Sequence, residues 1–137
     1  PRKGYMVNIF DREEANQIQN VRRHVEKYCV ELAIEHATDE EIKSLGRYTK
    51  RNLPEQGNRY QSELETESNN LQFHVRLAEI GGNEYLVEIV KNLAGKIAMA
   101  NIDTASDLCY HEKVIEALLD RNLEAAIQYI EADIEPL

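Results

Sequence analysis

The sequence predicts an all-α domain, a six-helix antiparallel bundle with one short strand at its N-terminal end. Three observations predict it. Apolar residues recur at helical spacing along most of the chain, capping residues open several of those stretches, and glycine or proline clusters close them. The 137 residues, 42% of them hydrophobic, suffice for one compact core.

Residues 1–9 read as a basic turn and a strand, because Gly4 permits a tight turn and Tyr5, Val7 and Ile9 alternate with period two. After Asp11 the period becomes helical, and Ile18, Val21, Val25, Tyr28, Cys29, Leu32 and Ala33 form the expected inner stripe to about Ala37. Thr38 and Glu41 make a capping box for a second helix through Ile42, Leu45 and Tyr48 to about Arg51. Asn52 through Asn58, containing Pro54 and Gly57, breaks it. A third helix spans about 59–80 on Leu64, Leu71, Leu77 and Ala78, and stops at Gly81 and Gly82. Asn83 caps a fourth, bearing Leu86, Ile89, Val90, Leu93 and Ile97. The fifth runs from about Ser106 to Asp120, and Asn122 caps a sixth that carries Leu123, Ala126, Ile127 and Ile130.

The net charge of -9 argues against nucleic-acid binding by the bulk of this domain, since duplex affinity rests on neutralising phosphates. The charge is uneven. Residues 1–59 hold 11 Lys or Arg against 10 Asp or Glu, whereas residues 60–137 hold 5 against 15. Any DNA contact is therefore expected from the first few residues or from a part of the protein outside this chain, which starts at Pro1 and reads as a fragment. Without a long apolar run or a secretory signal, the expected location is the cytoplasm. Cys29 and Cys109 fall within helical apolar patterns and read as reduced structural thiols.

Four polar residues, Asn70, His74, His111 and Asp133, sit where periodicity asks for core. Asn70 and His74 are one helical turn apart, His111 lies on the stripe of Leu108, Ile115 and Leu118, and Asp133 continues that of Ala126 and Ile130. Two imidazoles, a carboxylate and an amide turned inward must be satisfied together, and a metal ion or polar ligand is one way to do so. The bland alternatives are a hydrogen-bonded core histidine at 74, an Asn70 bonded to its own helix, and an Asp133 solvated at a frayed end.

Several runs resemble the FCD effector domain of GntR-family (FadR/VanR-like) bacterial transcription regulators. They are Val21-Arg22-Arg23-His24-Val25-Glu26, the Ala-Thr-Asp-Glu-Glu break at 37–41, Asn70 through Ala78, Gly82-Asn83-Glu84-Tyr85-Leu86, and His111 through Ala117 continuing to Ala125-Ala126. The likeness covers about residue 15 to the end. It implies that residues 1–10 are the remnant of a winged-helix wing and linker, that residues 11–137 are an effector-binding and dimerising domain, and that the DNA-reading part lies N-terminal of this chain.

In metal-binding members an Asp-x-x-Phe-His motif and two later histidines hold the ion. Here the resemblance places Asn70 at the Asp position, His74 and His111 at two histidines, and Asp133 at the last, so two of four ligands have changed identity. Zinc or nickel is the expected ion, held less tightly through an amide oxygen than through a carboxylate. Arg22 matches an arginine that reaches the effector in several members; it either clamps a small organic acid or pairs with Glu26 one turn on. Tyr28, Tyr60 and Tyr110 line the same cavity or serve as core, while His24 and His36 face solvent or flank the stripe.

The expected function is thus an effector sensor that forms a homodimer, binds a small carboxylate, and is not an enzyme. The alternatives are a helical metal-dependent enzyme on His74, His111 and Asp133, or a ligand-free scaffold. Neither a His-Glu-x-x-His motif nor a Gly-rich phosphate loop supports the enzyme.

Overall fold

The computed structural model describes residues 11–49, 59–100 and 109–136, except for the side chains of residues 59–67 and 109. The expected N-terminal strand and the start expected for the fifth helix lie outside the described residues, as do the side chains of Tyr60, Leu64, Leu108 and Cys109. The described residues form six α-helices and no strand.

Helix α1 (Arg12–His36) starts at Asp11, whose carboxylate accepts from the Glu14 backbone N–H at 2.9 Å. The capping box of α2 (Asp39–Lys43) forms as expected, with Glu41 N–H donating to Thr38 Oγ1 and Thr38 N–H to Glu41 Oε1. This helix is shorter than expected. It tightens into a 3-10 helix over Ser44–Tyr48, where the Ser44 hydroxyl donates to the Glu41 carbonyl and competes for the regular ladder.

Helices α3 (Arg59–Ile80) and α4 (Glu84–Met99) form a hairpin through Gly81, Gly82 and Asn83. Gly82 has φ +85°, and a Cβ on Gly81 would stand 2.9 Å from Leu32 Cβ, so one glycine turns the chain and the other lets it pass close to α1. The Asn83 side chain accepts from the N–H groups of Tyr85 and Leu86.

A second hairpin joins α5 (Cys109–Leu119) to α6 (Leu123–Asp133), with Asn122 capping α6. Its turn puts Arg121 at φ 55°, and Asn122 N–H reaches back to the Ala117 carbonyl at 2.9 Å, a helix ending that usually employs glycine. The arginine has a task there. Its Nη1 donates to the carbonyls of Ile34 (3.0 Å) and Ala37 (2.9 Å) at the end of α1, and its Nη2 to Asp39 at 2.8 Å.

Both hairpins pack on α1, which meets α3, α4, α5 and α6. Between them lies an apolar core that includes Cys29, Ala33, Ile42, Leu45, Phe73, Leu77, Val114, Leu118 and Ile130. The inner face of α1 differs from the sequence expectation. Val21 and Tyr28 are 50% and 46% exposed, Ile18, Val25 and Leu32 are only partly buried, and the buried stripe is Ala15, Gln19, Arg22, Glu26, Cys29, Val30 and Ala33. Polar groups occupy the core-facing line because they satisfy one another there. Ile89 on α4 and Leu123 on α6, also expected inside, are exposed. No helix among the described residues is long and apolar enough to cross a membrane.

Candidate functional site

Four helices bring their polar side chains to one buried cluster. His74 comes from the middle of α3, His111 from the first turns of α5 and Asp133 from the last residue of α6; α1 contributes Glu26 and Arg22. Asp133 Oδ2 lies 2.9 Å from His74 Nε2 and 3.0 Å from His111 Nε2, and the donor atoms of these three residues all lie within 4.8 Å of one another. Their side chains are 5% exposed or less. Asp133 is therefore held rather than frayed. Part of that order comes from α1, where Arg23 Nη1 donates to the carbonyl of Ile134, the residue that ends α6, at 2.9 Å.

Phe73 supplies the apolar wall. Its ring stacks on His111 with centroids 3.9 Å apart and planes 2° from parallel, and meets His74 edge-on at 5.4 Å. Sequential Phe73 and His74 thus restrain both imidazoles from one turn of α3.

Behind His74 stands Glu26, which periodicity did not single out as a site residue. His74 Nδ1 donates to Glu26 Oε1, while Glu26 Oε2 accepts from Arg22 Nε and Nη2, each at 2.9 Å. Arg22 Nη1 donates to Gln19 Oε1 at 2.9 Å. Of the two readings of Arg22, the structure displays the ion pair with Glu26.

The electrostatics follow from burial against pairing. Burial pulls the His74 pKa down, but the Glu26 charge and the hydrogen bonds to Asp133 and Glu26 outweigh it and raise the pKa to about 9. Burial lowers that of His111, and Asp133 offsets it only in part. Burial would raise the pKa values of both carboxyls, yet hydrogen bonds and charge from the histidines hold Asp133 below its usual range, and the charges of His74 and Arg22 do the same for Glu26. At neutral pH the set is balanced: Arg22 and His74 carry positive charge, Glu26 and Asp133 negative, and His111 none.

The donor set suits a metal ion. Two imidazole nitrogens and a carboxylate oxygen that converge within 4.8 Å could hold such an ion once His74 gives up its Nε2 proton. Two further buried atoms, Asn70 Oδ1 and His111 Nδ1, have no hydrogen-bond partner among the described residues. Asn70 lies one turn before His74 on α3. Tyr28 is exposed, and Tyr110 is half-buried with Lys113 Nζ 5.9 Å from its ring centroid; no described contact brings either into the cluster. The Cys29 thiol, pushed well up by burial and then by Glu26, is an inert core group.

No solved structure matches the chain significantly. Over 137 residues it is 26% identical to the "Nta operon transcriptional regulator" of Aminobacter aminovorans, an alignment covering 97% of this chain and 64% of that curated relative. The chain thus spans less than two thirds of the relative's length. The FCD domain model matches residues 17–135, which takes in α1 from its sixth residue, the whole of α2 through α6 and every member of the buried cluster, and the chain belongs to the FCD domain family.

Proposed function

We propose that this chain is the ligand-sensing domain of a GntR-family transcription regulator, in which a small organic acid, with or without a metal ion, modulates DNA binding by an N-terminal winged helix-turn-helix domain of the longer protein. The observation that carries this reading is the buried His74, His111 and Asp133 cluster, drawn from three helices of an FCD domain and pointing three donor atoms at one another. The regulator named among its relatives supports the same role.

Zinc or nickel suits two imidazoles and a carboxylate, and Asn70 Oδ1 is available as a further oxygen donor. When bound, the ion would supply a positive centre for a carboxylate. The chain's own groups hold His74 and Asp133 in place and keep water out. A ligand carboxylate would gain Arg22 only by exchanging with Glu26, so Arg22 acts in this reading through its pairing. Signalling is a population shift: the ligand favours one arrangement of α1, α3, α5 and α6, and that preference biases the linked DNA-binding domains.

Homodimerisation belongs to the same proposal. Val21 and Tyr28 on α1, and Tyr85 and Ile89 on α4, are exposed on helices that pack together, which supplies apolar area for a symmetric contact. A cytoplasmic location and a sensing rather than catalytic role follow from this reading. The test is a thermal-shift screen of small carboxylates with and without Ni²⁺ or Zn²⁺. A ligand at a hundred times its Kd should add about 2.7 kcal/mol, or about 10 °C in Tm. Absence of any shift with ion, acid or both would remove the sensing role.

A further inference from the structure

We propose that Glu26 is the positioning residue of this site: it fixes the His74 ring with Nε2 turned toward Asp133 and His111, and Arg22 holds Glu26 in place to do so. The inference deepens the sensing role above and rests on it for the identity of the ligand.

A histidine ring offers two inequivalent nitrogens, and which one meets a ligand is decided by what binds the other. Here the selection is visible. His74 Nδ1 is taken by Glu26 Oε1 on one side of the ring, which leaves Nε2 on the side of Asp133. Glu26 has no freedom to choose otherwise, because it is fully buried and its second oxygen is gripped by two nitrogens of Arg22. Arg22 is restrained in turn by Gln19, three residues before it on α1. Gln19, Arg22 and Glu26 thus form one rail along the inner face of α1, none of them more than 6% exposed, and the rail ends on a residue of α3.

The arrangement is more specific than charge balance requires. A carboxylate anywhere near Arg22 and His74 would neutralise them, but only one with an oxygen on each can set the ring's orientation. A carboxamide cannot replace it, since both neighbours donate and the amide offers a single acceptor oxygen. A carboxylate one methylene shorter keeps the charge and withdraws the reach.

The experiment compares wild-type protein with Glu26→Gln and Glu26→Asp by two measurements. One is imidazole ¹⁵N–¹H correlation in chelator, and the other is calorimetric titration with Ni²⁺. The expected result is a His74 Nδ1 proton protected from exchange in the wild type and lost in both variants, with Ni²⁺ affinity lowered about 10- to 100-fold while the helical signal is kept. A protected proton that persists in the variants, or Ni²⁺ affinities within about twofold of wild type in folded Glu26→Asp, would overturn the assignment. Should wild-type protein take up no Ni²⁺ while the protected proton is still lost on substitution, the metal leaves the functional reading and the positioning role of Glu26 stands.

Discussion

Raising the pH of the ion-free domain from about 7 to about 10 should weaken its fold through one residue, His74. Its pKa in the fold is raised to about 9 from an ordinary 6.5, so the folded state holds the proton more tightly than the unfolded chain. The resulting stabilisation is fully present below about pH 6.5 and is lost as pH rises through about 9. A difference of about 2.5 units corresponds to about 3 kcal/mol at full extent, of which about 2.5 kcal/mol remains at pH 7. The group is buried between Glu26 and Asp133, so solvent screening takes little from this figure. Urea denaturation followed by far-ultraviolet circular dichroism, in chelator and across this range, reads it directly. His74→Gln serves as the reference: it should be less stable at pH 7, and the gap to wild type should shrink as pH rises. A gap that is constant from pH 7 to 10 would refute the sandwiched imidazolium. On the acid side the signs reverse. His111, Asp133 and Glu26 all have lowered pKa values, so their contributions are lost as pH falls, His111 first and the carboxylates below about pH 4.

Arg121→Ala should cost about 1–2 kcal/mol in thermal denaturation, because it removes the donors from the end of α1 while keeping the left-handed backbone; Arg121→Gly should lose about 1 kcal/mol less by relieving that backbone, and the reverse order would be inconsistent with the turn. Gly81→Ala should destabilise by about 1–3 kcal/mol, since the added methyl meets Leu32 Cβ at 2.9 Å; an unchanged melting temperature would show that α1 and the hairpin can part without penalty. Asn70→Asp should raise metal content by elemental analysis, and His74→Ala should abolish ligand-induced stabilisation with helical content retained; neither response would leave the cluster a satisfied polar core.

Features fixed by local physics were legible in the sequence, whereas the choice between two competing helical faces was not. The caps at Thr38, Asn83 and Asn122 depend on a side chain and a backbone N–H a few residues apart, so spacing alone reveals them. On α1, two adjacent stripes obey the helical period: the expected Ile18, Val21, Val25, Tyr28, Cys29, Leu32 and Ala33, and Ala15, Gln19, Arg22, Glu26, Cys29 and Ala33, which share Cys29 and Ala33. Hydrophobicity favours the first, but the chain buries the second. Glu26 stayed hidden for that reason, although its place between Arg22 and Cys29 on a regular stripe is a signal once polarity is set aside. His74, His111 and Asp133 were legible because each interrupts an otherwise apolar stripe, while their meeting depends on how the hairpins pack on α1.

The α5–α6 hairpin carries two of the three clustered donors and is fastened to α1 at both ends, by Arg121 at its turn and by Arg23 at the carbonyl of Ile134. With none of the side chains of His74, His111 and Asp133 more than 5% exposed, these donors are closed to a solute at a static surface. In the sensing role proposed above, entry requires a local opening, and lifting the α5–α6 hairpin against its two guanidinium clasps would provide one. Loosening the Arg121 clasp should then quicken both arrival and departure of a bound species, whereas loosening the Arg23 clasp should also weaken binding by freeing Asp133. In that role, how long a bound species stays depends on the fastenings of the hairpin as well as on its donor atoms.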